Sequence, residues 1–141
     1  MKKTTIFGES AATTEKELSK EALNDRLSSQ LYEIYEQILK EGKIEIFGDL
    51  DFEIVERIDN KKQRIAKLVG NKILVKLSAI TLPKDALSYI IAHEVAHTFT
   101  KKHTKRFWKI VETIYPNFEE GRKLLLKNGK FLCDPLTELP K

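Results

Sequence analysis

Residues 86–97, ALSYIIAHEVAH, are apolar around almost the whole circumference of a helical wheel, and such a helix has to be surrounded by the rest of the chain. Pro83 and Asp85 mark its entry, because a proline in the first turn has no N–H to lose and a carboxylate is favoured at the positive end of the helix dipole. The same segment carries His93, Glu94 and His97, three polar side chains that are costly to bury unless something compensates them. Four residues apart, the two histidines project side by side, about 40° apart around the axis and ~6 Å apart along it. Two imidazoles so placed bind one metal ion, which is the compensation the buried helix requires. Glu94 sits about 100° round from His93, in reach of a water on that ion without being a ligand.

A third ligand has to come from elsewhere. His103, the last of the three histidines, follows six residues after His97, far enough for the helix to end near Thr100 and the chain to turn back. Its rivals are Glu112, Glu119 and Glu120 on later helical segments; imidazole is the better zinc ligand, and Glu119 and Glu120 fit an ordinary first helical turn. Three neutral imidazoles leave a fourth position open, as catalytic rather than structural zinc requires. One Zn2+ there would lower the pKa of its water to about 7. Glu94 is then the general base that takes the water's proton and passes it to a leaving amine. A second donor for the developing oxyanion is expected. Tyr89, Arg106 and Tyr115 are the candidates, each with a structural role as the plainer reading.

With 141 residues and 41% apolar side chains the chain suits one soluble domain, expected over 15–130, with a loosely ordered tail at 1–14 and another at 131–141. Cys133 is the single cysteine, so neither an internal disulfide nor a zinc ribbon is possible. No apolar stretch follows Lys2 and Lys3, and none has membrane-spanning length, so a cytoplasmic protein without a membrane partner is expected. Charge is unevenly spread. Residues 1–59 balance at −6, whereas residues 60–130 balance at +11. The basic part includes Lys101, Lys102, Lys105 and Arg106 beside the histidines; it is either a solvated surface or a flank that draws in nucleic acid or an acidic peptide.

Elsewhere the periodicities predict an α+β domain. Leu18, Leu23, Leu27, Leu31, Ile34 and Ile38 recur at helical spacing from Thr14 to a stop at Gly42, with Thr14 and Glu17 as a capping box. A half-buried strand over 43–47 is expected, with apolar character continuing to Ile58, and the N-terminal segment reads as the loose tail or as an edge strand around Ile6 and Phe7. Runs 64–69 and 72–80 flank Gly70-Asn71 and read as a hairpin with a type II′ turn, with Ile73, Val75 and Leu77 on one face. Two C-terminal helices follow, over 104–115 and from a cap at Asn117 to Asn128-Gly129.

The stretch HEVAHTFTKKHTKRFW (93–108) with IVETIYPNFEEGRKLLLK (110–127) resembles the SprT-like, YgjP-like and WLM group of small zincin metallopeptidases. Their pattern is H-E-[LV]-A-H, five residues, then His, with Phe-Trp four and five residues on; here those are Phe107 and Trp108. The resemblance implies zinc at His93, His97 and His103, a catalytic Glu94 and a peptide or protein substrate. It also implies a zincin-like α+β fold, in which a long helix and a small, mainly antiparallel sheet support the active-site helix. The Trp-Gly-Ser segment common upstream in YgjP-like proteins is absent, since Trp108 is the only tryptophan. The metzincin branch is excluded, because its glycine position is Thr100 and Met1 is the only methionine.

Zinc-dependent peptide hydrolysis is therefore the expected activity. An edge strand of the 64–80 hairpin would align substrate by strand addition, provided residues 72–77 are not bonded along both edges. Two other readings stand beside it. One is an endoribonuclease-like zinc hydrolase, against which Glu94 argues; the other is a catalytically silent metal-binding adaptor recruited to nucleic acid.

Overall fold

The computed structural model describes residues 11–42 and 49–132, with side chains described from Ser19 onward. The expected strands around Ile6 and over 43–47, and Cys133 with the segment after it, lie outside the described residues. Among the described residues, four helices and a three-stranded sheet make an α+β domain. Helix α1 spans Ala11–Glu41 and stops at Gly42, so Thr14 and Glu17 lie within the helix rather than at its described start. Its core stripe is Leu27, Leu31, Ile34, Tyr35 and Ile38, while Leu23 is exposed. The helical period is thus right, and the buried positions among the described side chains of α1 begin at Leu27.

Strands β1 (Asp51–Val55), β2 (Ala66–Val69) and β3 (Lys72–Lys76) form one sheet in the order β1-β3-β2. The β2–β3 pair is the expected hairpin, with Val69 opposite Lys72 across Gly70-Asn71. Gly70 has φ +63° and Asn71 is not among the residues of positive φ, the pattern of a type II′ turn, where only the first central residue is left-handed. The β1–β3 pair is parallel, so the sheet is mixed rather than mainly antiparallel. The reason is the placement of the hairpin: β3, not β2, docks beside β1, and it runs in the same direction. Strand β3 also ends earlier than the alternation suggests, because Leu77–Thr81 closes into a 3₁₀ turn. Ile73 and Val75 are fully buried as expected.

Helix α1 is tied to the sheet at Tyr32, whose hydroxyl accepts from the Phe52 N–H (3.1 Å) and donates to Asp51 (3.3 Å). Helix α2, Lys84–Ala96, runs through the core, with every residue from Tyr89 to Ala96 buried. Helices α3 (Lys105–Ile114) and α4 (Phe118–Lys127) complete the body. Asn117 occupies the N-cap position of α4 but makes no side-chain cap, whereas Thr104 caps α3 by accepting from the Phe107 N–H. Helix α4 approaches α2 at Gly121, where a Cβ would lie 2.4 Å from the Asp85 carbonyl oxygen and 2.7 Å from the Tyr89 Cβ. After α4, Phe131 exchanges backbone hydrogen bonds with Ile65 and Gln63, and Leu132 is fully buried.

Candidate metal centre

Helix α2 ends at Ala96, earlier than the Thr100 expected, and His97 is its C-cap. Thr98, Phe99 and Thr100 close a tight turn on the carbonyls of Val95 and Ala96. That turn, with the cap at Thr104, returns His103 to the end of α2. One potential ligand atom from each of His93, His97 and His103 lies within 4.8 Å of the others, and these three are the only such group among the described residues. The ring centroids are 4.9, 5.3 and 5.0 Å apart. Phe107, fully buried, forms the floor at 4.7 to 5.0 Å from all three imidazoles. Trp108 packs behind it, about 6 Å from His93 and His103. Glu112, Glu119 and Glu120 are outside the group, and Glu119 instead faces Arg122 at 3.7 Å.

The donor set suits a cation. Burial first, and then the neighbouring His93, depress the His97 pKa to about 4; burial also lowers that of His103, so both rings are neutral bases at pH 7. The His97 Nδ1 lies 3.1 Å from the Thr100 carbonyl oxygen, which can only accept. The proton is therefore on Nδ1, and Nε2 keeps its lone pair for a metal. Three imidazoles that converge this closely could hold one ion, and zinc is a cation that favours such a donor set.

Glu94 points to the other wall of a cleft of about 590 Å³ between the end of α2 and strand β2. His97, Thr98 and Lys101 line one side, with Arg64, Lys67 and Leu68 opposite. Burial pushes the Glu94 carboxyl up to about 7, partly offset by the neighbouring His97 and Arg64 and by the Leu68 backbone N–H that bonds it. Asp59 in turn holds both cations of the β2 wall, Lys67 at 2.9 Å and Arg64 at 3.1 Å. Sequence reasoning did not find Arg64, Lys67, Leu68 or Asp59. Nothing in their local pattern distinguishes them, because they meet Glu94 only through the sheet. The remaining candidates are elsewhere. Tyr89 is fully buried one turn before His93, its ring 5.7 Å from that imidazole. Tyr115 lines a separate groove between α1 and the start of α2, its hydroxyl pushed up to about 12 by burial and then by Asp85. Arg106 is exposed in the first turn of α3.

Residues 4–128 match the model of the YgjP-like metallopeptidase domain. The chain belongs to the YgjP-like family. No curated protein and no solved structure matches it. The YgjP-like domain thus spans nearly all the described residues, and its histidine cluster is a site able to hold a metal ion. No helix among the described residues is long and apolar enough to cross a membrane.

Proposed function

We propose that this YgjP-like protein is a zinc-dependent peptidase, with His93, His97 and His103 as metal ligands and Glu94 as general base. The observation that carries this reading is the convergence of three imidazoles beside a buried carboxylate that shares a cleft with His97, lies 3.4 Å from the His93 Nδ1 and stands outside the ligand group. When bound, zinc supplies Lewis acidity toward a carbonyl and acidifies a water. Glu94 accepts the proton of the attacking water on its carboxylate and delivers it to the departing amine. Burial holds its carboxyl up at about 7 without the metal, and a bound dication would lower that value and favour the carboxylate form that a base needs. The Leu68 N–H and Arg64 aim the carboxylate into the cleft.

Substrate alignment belongs to β2. Strand β3, Lys72–Lys76, has partners on both edges, so the strand-addition expectation fails as it was framed, and we propose a different edge of the hairpin instead. Among the described residues, the open edge of the hairpin is that of β2. In its antiparallel pairing with β3, Lys76 N–H bonds the Ile65 carbonyl, so alternation turns the N–H and C=O of Ala66 and Leu68 outward. An extended peptide adding there would lie along the cleft beside Glu94. Arg64, Lys67 and Lys101 favour acidic side chains on that peptide.

The test is Glu94→Gln. Cleavage of an unfolded polypeptide should fall by about 10² to 10⁴-fold while one zinc per chain is retained. Unchanged cleavage, or RNA cleavage surviving in the variant, would overturn the proposal.

A further inference from the structure

On the side of the sheet away from the histidines, Lys76 is only 7% exposed. Its ammonium donates to the carbonyls of Lys61 (2.7 Å) and Lys62 (2.9 Å). A lysine has three N–H donors, so two carbonyls leave one to be satisfied. Among the described residues no carboxylate pairs with Lys76, and the charge that acts on it is another cation, Lys130. Burial first, and Lys130 second, hold its pKa below the ordinary 10.5. Burying a charge without a counter-charge is costly, and removing it from water strengthens its attraction for any anion that reaches it.

Lys76 lines a cleft of about 360 Å³, and Arg57, Lys61 and Lys62 line the same cleft. Asn60 and Ser78 add neutral donors. The single acid of the wall, Glu56, is already engaged by Lys20. Asp59 and Asn60, with φ of 53° and 55°, turn the backbone left-handed just before the two lysines, and the Lys76 ammonium holds that turn against the sheet.

We infer that this cleft binds a phosphate group, free or esterified, as the counter-anion of Lys76. Phosphate matches the surroundings in charge and in shape. It carries about −1.5 to −2 at pH 7 and presents several strong acceptor oxygens. One oxygen accepts from the third N–H of Lys76, and the others face the side chains of Arg57, Lys61 and Lys62. A carboxylate would leave most of the positive charge unanswered, and the cleft has room for a second phosphate or an ester group. The site is independent of the proposed peptidase reading, because none of its residues faces the histidines.

The test is calorimetric titration of the full zinc-loaded chain with inorganic pyrophosphate and with a nucleoside diphosphate, at ionic strength held constant with chloride. Both should bind, and affinity should drop at least about tenfold in Lys61→Gln/Lys62→Gln, whose side chains are exposed, and in Lys76→Met. His97→Ala should leave the affinity unchanged, which separates this cleft from phosphate chelation at the metal. Equal affinity for the two ligands assigns the pocket to free phosphate, and tighter nucleoside diphosphate binding assigns it to an ester; either supports the inference. No binding at millimolar ligand would overturn it. So would binding retained in the double lysine variant or abolished by His97→Ala.

Discussion

Burial acts in opposite senses on the two ionisable groups that share the cleft with β2. Glu94 is raised from 4.5 to about 7, so the metal-free folded protein keeps a proton that the unfolded chain releases first. Its contribution to stability is complete below about pH 4.5 and is lost as pH rises through 7. His97 is lowered from 6.5 to about 4, so here the unfolded chain takes up the proton first. That contribution is complete above about pH 6.5 and is lost as pH falls through 4. The two slopes oppose each other between about pH 4.5 and 6.5, and Glu94→Gln removes only the first. In chelator, urea unfolding of Glu94→Gln should therefore gain stability with pH more steeply over this interval than the native protein does. An equal or shallower gain would contradict the buried carboxylate described here. The residue types at this site were legible in the chain because helical spacing alone puts His93 and His97 on one face. The partners that tune them, Thr100 for His97 and Leu68 for Glu94, are backbone groups, which no side-chain pattern records.

Helix α2 is held where its histidines can meet His103 by neighbours on both sides, and each contact makes a prediction about an element. Gly121 brings α4 against α2 so closely that a methyl would meet the Asp85 carbonyl, a backbone atom that cannot swing away. Gly121→Ala should cost about 1–3 kcal/mol in denaturant unfolding, the usual range for overpacking. A loss below about 0.5 kcal/mol would mean the two helices separate easily. On the other side β2 faces Glu94 with an edge that no other described strand pairs. Leu68→Pro removes one N–H that the ladder with β3 does not use, and proline is tolerated on an edge strand. The fold should survive, by circular dichroism, while kcat/KM falls about tenfold or more as Glu94 loses its donor and the substrate its partner. Activity within twofold of the native protein would remove β2 from the proposed mechanism. The hairpin that supplies this edge was readable from Gly70-Asn71, but the strand beside it was not. Which edge of a hairpin docks on β1 is decided by contacts between residues some twenty positions apart, such as Phe52 with Ile73.

Across the whole molecule, a metal ion would join the end of α2 to the turn before α3. It would bind the folded chain far better than the unfolded one and so stabilise it by mass action, by about 2.7 kcal/mol at a hundredfold excess over Kd. Zinc removal should lower the melting temperature by several degrees, as read by calorimetry, and His103→Ala should melt at the metal-free temperature with or without zinc. Glu119→Ala should keep the full zinc effect; losing it would make that carboxylate the third ligand. The sequence by itself determined the buried helix, the pair of imidazoles on its face, the carboxylate beside them and the period of every described helix, because each depends on neighbours within a turn or two of the chain. Tertiary structure alone decided where α2 stops, that the sheet is mixed, which described strand presents an open edge toward Glu94, and that Lys76 is buried with no counter-charge among the described residues. Those outcomes depend on which distant segments compete for the same surface, and spacing along one chain carries no record of that competition.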